Sequence, residues 1–169
     1  MVRVEHQYDV RTAELVEVLL DPAFLAARSA RYGGVGAPTV TRAPAEVEVR
    51  TVRQLPLERV PAAFRRFVGD GRVEQIDSWP PVDGDRVLGS WRLETGRAPI
   101  ELNGRHSVTG EGQRCTYVVT ADIKVTVPVV AGRLSRQVET YLAQLVAAEQ
   151  GFLAEWATGM MSGREGSHG

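Results

Sequence analysis

Apolar and polar positions alternate from the start of the chain, which is the pattern of a β-strand with one buried face. Valine, histidine and tyrosine alternate with charged or amide residues over Val2–Val10. Two short helices are predicted next. The second has Asp21 and Pro22 as an N-cap and first-turn pair and runs through Arg28.

Alternation resumes in the centre of the chain, where prolines and glycines separate short apolar runs. This pattern predicts a hairpin, a short helix and then four strands. The hairpin strands are residues 39–42 and 45–55, the helix is 62–68, and the later strands are 72–79, 86–94, 100–109 and 114–127. Consecutive antiparallel strands with segregated helices indicate an α+β domain.

A long amphipathic helix is predicted from Val129 to about Ala157, directly after Pro128. At about 1.5 Å per residue it would extend roughly 40 Å, so its apolar stripe needs a large partner and the preceding sheet must curve around it. The stripe is Leu134, Val138, Tyr141, Leu145, Ala148, Phe152 and Trp156. Residues 1–159 are therefore predicted to form one domain, and the small and polar residues 160–169 a flexible tail.

Composition excludes several classes of partner. Twenty basic and 21 acidic residues leave a net charge of −1, which does not favour nucleic acid or an integral membrane contact. Cys115 is the sole cysteine, so no internal disulfide can form. The charged, alternating start of the chain does not have the pattern of a signal peptide, so we expect a cytoplasmic protein.

Two segments carry a resemblance to a known family. They are TAELVEVLLDPAFL after the first strand and VPVVAGRLSRQVETYLAQLVAAEQGFLAEW at the end. Both resemble the START-like (SRPBCC, helix-grip) superfamily, which includes the Bet v 1 allergens and polyketide cyclases. The second segment is also similar to an uncharacterised bacterial subgroup, DUF2505. The resemblance implies a curved antiparallel sheet of about six to seven strands around the closing helix, with a hydrophobic cavity between them.

The resemblance implies three kinds of function. The first is a binding or carrier domain that encloses a hydrophobic small molecule, such as a lipid, a sterol-like or a polyketide-like compound. The second is a cyclase or aromatase-type enzyme with His106 and Tyr117 as its polar groups. The third is a protein-interaction module that uses the sheet surface or the lip of the cavity, although the sequence names no protein partner.

Candidate cavity residues lie on the inward parity of the last strands and on the closing helix. They are Trp91, Leu93, His106, Tyr117, Val119, Ala121, Tyr141, Leu145 and Phe152. Trp91 beside Gly89 fits either a cavity wall or a tightly packed strand crossing. His106 could orient a ligand or act as an acid or base, or it could be a satisfied or edge-exposed histidine. Leu134 and Val138 are expected in plain core.

No catalytic, metal or cofactor site is predicted. Three single histidines and one cysteine show no metal-ligand spacing, and no glycine pattern fits a phosphate loop. Cys115 on an inward strand is interpreted as inert packing. Four aspartates are interpreted as turn residues that cap backbone amides, namely Asp70, Asp77, Asp83 and Asp85.

Overall fold

The computed structural model describes residues 1–165, over which seven strands and four α-helices form. The elements in chain order are β1 Val2–Tyr8, α1 Thr12–Leu19, α2 Pro22–Arg31, β2 Thr39–Arg42, β3 Val47–Gln54, α3 Ala62–Val68, β4 Arg72–Trp79, β5 Arg86–Glu94, β6 Ile100–Glu111, β7 Arg114–Val125 and α4 Ala131–Glu165. A short 3-10 helix, Leu57–Arg59, precedes α3 and was not predicted.

The seven strands form one antiparallel sheet in the order β1-β7-β6-β5-β4-β3-β2. β2 to β7 lie side by side in chain order, whereas β1 pairs with β7. The register of that pair runs from Val2 opposite Ala121 to Tyr8 opposite Cys115. The predicted fold, an α+β helix-grip with two short helices after the first strand, is confirmed.

The boundaries of α4 differ from the prediction at both ends. The helix begins at Ala131 rather than at Val129, because Val129 is fully exposed and Leu134 N donates the first helical bond to the carbonyl of Val130 at 3.0 Å. It continues to Glu165, since Gly159 does not end it. The predicted tail falls on residues 160–169; residues 166–169 lie outside the described residues, and the flexible tail stays a prediction.

Local signals explain most other boundaries. The Asp21 side chain accepts a hydrogen bond from Ala23 N at 2.9 Å and so caps α2. The turn between β6 and β7 is tighter than predicted, because Gly112 adopts φ +63° and lets β6 continue to Glu111.

The hydrophobic core lies at the end of the sheet that α1 and α2 cover. Its most buried side chains are Leu15, Phe24, Leu25, Val108 and Leu153. Two tyrosine hydroxyls fix α4 over this core. Tyr8 donates to the carbonyl of Gln150 at 2.9 Å, and Tyr32 donates to that of Ala148 at 3.1 Å. The C-terminal half of α4 is therefore held against packed side chains, which leaves any larger space under its N-terminal half.

Candidate ligand-binding site

Two adjoining spaces lie between α4 and the concave face of the sheet. We call the one of about 100 Å³ next to the core the inner chamber. We call the one of about 620 Å³ beyond it, towards the start of α4, the outer groove. Five residues line both spaces, which makes them neighbours: Leu55, Leu93, Leu102, Tyr141 and Leu142.

The outer groove is mainly apolar. Its walls are the first turns of α4, the 3-10 helix, α3 and the ends of β5 and β6 that meet there. The apolar lining includes Val60, Phe64, Val68, Ile100, Leu134 and Val138. The charged residues of the lining are three exposed arginines on the rim, Arg59, Arg133 and Arg136.

A buried ion pair joins the sheet to α4 at the inner chamber. Arg53 Nη2 lies 2.8 Å from Glu149 Oε1, with side chains 11% and 15% exposed. The same guanidinium donates to Gln75 Oε1 at 2.6 Å and to the carbonyl of Tyr32 at 3.1 Å. Burial opposes the charge of Arg53, but the charge and hydrogen bond of Glu149 hold the pKa of Arg53 above its usual value. Arg53 thus ties together β3, β4, α2 and α4.

Asp77 and His106 form a second polar group on the same face. Asp77 accepts two hydrogen bonds from Gln75 Nε2, at 3.1 and 3.0 Å. His106 is 2% exposed and its Nε2 donates to the carbonyl of Ser78 at 3.1 Å. Its Nδ1 lies 3.8 Å from Asp77 Oδ1, which is too long for a hydrogen bond. Both side chains line the inner chamber.

Two glycines determine where the large rings on β5 and β6 lie. Gly89 pairs with His106, and Gly104 pairs with Trp91. A methyl group at Gly89 would overlap the imidazole, and one at Gly104 would overlap the indole and the Thr120 carbonyl. Each ring can therefore cross its glycine, and Trp91 Nε1 reaches β7 to donate to Thr120 O at 3.0 Å. Trp91 is thus both a chamber wall and part of a packed strand crossing.

Aromatic contacts fix the histidine further. The ring of Trp79 stacks on His106 with centroids 3.8 Å apart and planes at 11°. Tyr117 lies beside Trp79, with ring centroids 6.3 Å apart. Tyr117 is 7% exposed, and burial raises the pKa of its phenol above the usual range. Tyr117 lines the inner chamber, and its hydroxyl forms no hydrogen bond within residues 1–165.

Seven of the nine predicted cavity residues line the inner chamber. They are Trp91, Leu93, His106, Tyr117, Val119, Tyr141 and Leu145. Ala121 and Phe152 do not belong to this lining. Ala121 is buried opposite Gly104, where the Trp91 indole crosses towards β7.

The helix face that meets the chamber is rotated from the predicted stripe. Phe152 packs on α2, with its ring 5.8 Å from that of Phe24, because each helical residue turns by about 100° and Leu153 takes the inward position. Ala148 is exposed. Leu134 and Val138, which were expected in plain core, both line the outer groove, and Leu134 is also buried.

Sequence reasoning missed the charged residues of the chamber, which are Arg28, Arg53, Asp77 and Glu149. The interpretation of Asp77 as a turn residue was wrong, because it lies inside β4 and is 8% exposed. Asp77 lies on the same face of β4 as Val73 and Trp79, so strand alternation could have predicted that its side chain points inward. Glu149 is four residues after Leu145, on the chamber face of α4, so a charge on an otherwise apolar face was also visible in the sequence.

Cys115 fits its interpretation as inert packing. It is 2% exposed, and burial raises the pKa of its thiol to about 11. The thiol therefore stays protonated at neutral pH, and a protonated thiol is a poor nucleophile.

We expect the stability of the protein to fall as the pH drops below about 6.5, the usual pKa of histidine. Burial lowers the pKa of His106 in the folded state, with Asp77 opposing and Arg28 reinforcing the shift. The unfolded chain then binds a proton that the folded chain resists, so stability is complete above the unfolded pKa and is lost as the pH falls towards the folded pKa.

Thermal unfolding from about pH 8 to about pH 5 measures this effect. His106→Phe keeps a ring against Trp79 but removes the titrating group, so its melting temperature should decline less steeply over that interval. Parallel curves for the two proteins would show that His106 is not the group responsible.

A curved antiparallel sheet that holds a long C-terminal helix over an internal space defines the START-like, helix-grip class of domains. Within residues 1–165 no helix is both long and apolar enough to cross a membrane. Residues 3–157 match the family model described as "Protein of unknown function (DUF2505)". The chain belongs to this DUF2505 family.

Similar proteins agree with this assignment. The chain is 30% identical to the uncharacterized protein Rv0481c of Mycobacterium tuberculosis over 161 residues, 92% of this chain and 87% of that protein. The crystal structure of TTHA0849 from Thermus thermophilus has a TM-score of 0.61 at 17% identity and covers 94% and 97% of the two chains. The Zhui aromatase/cyclase of a Streptomyces species has a TM-score of 0.58 at 15% identity and covers 92% and 93%. At these identities the two structures show a shared fold only.

Proposed function

We propose that the protein binds a hydrophobic small molecule in the outer groove, with one end of the molecule in the inner chamber. The observation that carries this proposal is the groove of about 620 Å³ that adjoins a small polar chamber under α4. Ligand sites commonly have volumes of about 300–1,000 Å³, with mainly apolar walls and a few convergent polar groups. A lipid, a sterol-like or a polyketide-like molecule has the matching chemistry.

Side chains at the junction of the two spaces give the sharpest test. Leu142 lines both spaces, so Leu142→Trp should fill the passage between them. We expect it to weaken binding of a fluorescent fatty acid, or of lipids retained in native mass spectrometry, by at least about tenfold, since the ligand would lose the apolar contact area of the passage.

The matched control is Leu88→Trp on the convex face of the sheet, where Leu88 is 43% exposed. It introduces the same side chain away from the groove and should bind as the unmodified protein does. Equal binding by the Leu142→Trp protein, or no bound species across several lipid classes, would contradict the proposal.

A cyclase or aromatase-type activity is the second candidate, and the arrangement of His106, Asp77 and Tyr117 favours it. A neutral buried histidine beside a carboxylate can accept a proton, and a protonated phenol can donate one. The test is incubation with a poly-β-ketoacyl thioester analogue and detection of an aromatic product by mass spectrometry. Product that persists in His106→Phe, or no product from the unmodified protein, would remove this candidate.

A further inference from the structure

The polar groups of the inner chamber restrict the chemistry of the ligand end that enters it. The inference below rests on the proposed function and deepens it. The starting point is that four kinds of group meet in a space of about 100 Å³: the imidazole of His106, the carboxylate of Asp77, the phenol of Tyr117 and the guanidinium of Arg28. A space of this size admits a small group of a ligand rather than its whole apolar body.

His106 presents an acceptor to the chamber. Its Nε2 lies 3.1 Å from the carbonyl of Ser78, and a carbonyl only accepts, so the proton of the neutral ring is on Nε2. Burial lowers the pKa of His106 and keeps the ring neutral near pH 7. Nδ1 therefore carries a lone pair, and it lies 3.8 Å from a second acceptor, Asp77 Oδ1. Two acceptors at that separation are complementary to a donor that approaches both.

Tyr117 presents a donor. Burial raises the pKa of its phenol, so the proton is retained. Its hydroxyl forms no hydrogen bond among the described residues, although the residue is 7% exposed and lines the inner chamber. A ligand oxygen in the chamber could therefore accept a hydrogen bond from it.

The charges that line the chamber balance. Arg28 and Arg53 are opposed by Asp77 and Glu149, and neutral His106 adds nothing. The guanidinium of Arg28 approaches the ring of Phe24, 5.7 Å from its centroid, and forms no ion pair within residues 1–165. An anion could pair with Arg28, but it would lie beside the carboxylate of Asp77 and has no proton for His106 Nδ1. A carbonyl likewise accepts but cannot donate.

We propose that the ligand end in the inner chamber is a hydroxyl group, of an alcohol or a phenol, which accepts from Tyr117 and donates to His106 Nδ1 or Asp77. A hydroxyl is the smallest neutral group that both donates and accepts. The apolar remainder of the ligand occupies the outer groove.

Three probes with the same chain separate the possible head groups: dodecanol, its methyl ether, and dodecanoic acid. Titration in native mass spectrometry near neutral pH should give an affinity for the alcohol about tenfold higher than for the ether, which carries a methyl group in place of the hydroxyl proton. The acid should also bind more weakly than the alcohol. This comparison needs no substitution, so it does not depend on whether a variant folds.

Substitutions then test which side chains produce the preference for the alcohol over the ether. His106→Phe should reduce the preference for alcohol over ether to less than about threefold, because it removes an acceptor for the hydroxyl proton. Tyr117→Phe should weaken the binding of alcohol and ether alike, because both oxygens accept from the phenol. The matched control is Tyr8→Phe, which removes a buried hydroxyl that bonds the carbonyl of Gln150, because Tyr8 itself does not line the chamber. Its preference should stay unchanged even if the protein is less stable.

The outcomes distinguish this inference from the proposed function. Equal affinity for alcohol and ether would overturn the hydroxyl assignment and leave hydrophobic binding standing. Acid that binds tightest, with no effect of the Tyr117 and His106 substitutions, would place the head group at the rim arginines and also overturn it. If none of the three probes binds, the proposed function fails and the assignment fails with it.

Discussion

Replacement of Arg53 by methionine is expected to lower the free energy of unfolding by about 3–5 kcal/mol, the usual result of breaking a buried ion pair from one side. The substitution leaves the carboxylate of Glu149, which is 15% exposed, without its cation. It also removes the donors to Gln75 Oε1 and to the Tyr32 carbonyl. One change thus loosens contacts among β3, β4, α2 and α4.

Urea denaturation measures this loss as a shift of the midpoint. The matched control is Arg50→Met on the same strand, because Arg50 pairs with Glu48 and Glu74 on the exposed face of the sheet. Its effect should be a small fraction of that of Arg53→Met. The double substitution Arg53→Met with Glu149→Leu should recover part of the loss, since no charge is left unpaired. Equal midpoints for the two single variants would contradict the assignment.

Gly104→Ala is expected to destabilise the protein by about 3 kcal/mol, the upper part of the range for overpacking. The added methyl group would overlap the carbonyl of Thr120, a backbone atom, and the indole nitrogen of Trp91. The indole could rotate away, but the paired strand could not move without loss of register. The variant should therefore also lose the hydrogen bond from Trp91 to Thr120.

Calorimetry measures the loss of stability, and tryptophan fluorescence reports the change around Trp91. Gly151→Ala is the matched control, because Gly151 lies in α4 with open space around its Cβ position. That substitution should stabilise the protein by about 0.5–1 kcal/mol through the loss of chain entropy in the unfolded state. A Gly104→Ala protein as stable as the unmodified chain would show that the strand crossing is less tight than described.

The fold was predictable because its signals are local. Strand alternation and helix caps depend on neighbouring residues, and α3, β4 and β5 begin and end where the pattern indicates. The boundaries of α4 were less predictable, since Val129 and Val130 extend the apolar stripe although they precede the helix. The ends of a helix depend on backbone hydrogen bonds, which the pattern of apolar residues does not specify.

The candidate site was only partly predictable. The parity of β5, β6 and β7 identified Trp91, His106 and Tyr117, because a strand that alternates has one inward face. The charged half of the chamber was missed, since a charged side chain is ordinarily assigned to solvent. Arg53 and Glu149 are 96 residues apart, so their pairing follows from tertiary structure alone. The volumes of the two spaces also depend on packing that no local pattern determines.

The pairing of β1 with β7 has a consequence for synthesis of the chain. Val2 pairs with Ala121, so β1 has no neighbour in the sheet until β7, the last strand of the sheet, has been synthesised. α1 and α2 can form early, whereas the sheet surface that holds α4 is completed only when β7 has been made and β1 has paired with it. β1 and β7 are therefore interdependent, and loss of either removes part of the sheet on which the closing helix packs.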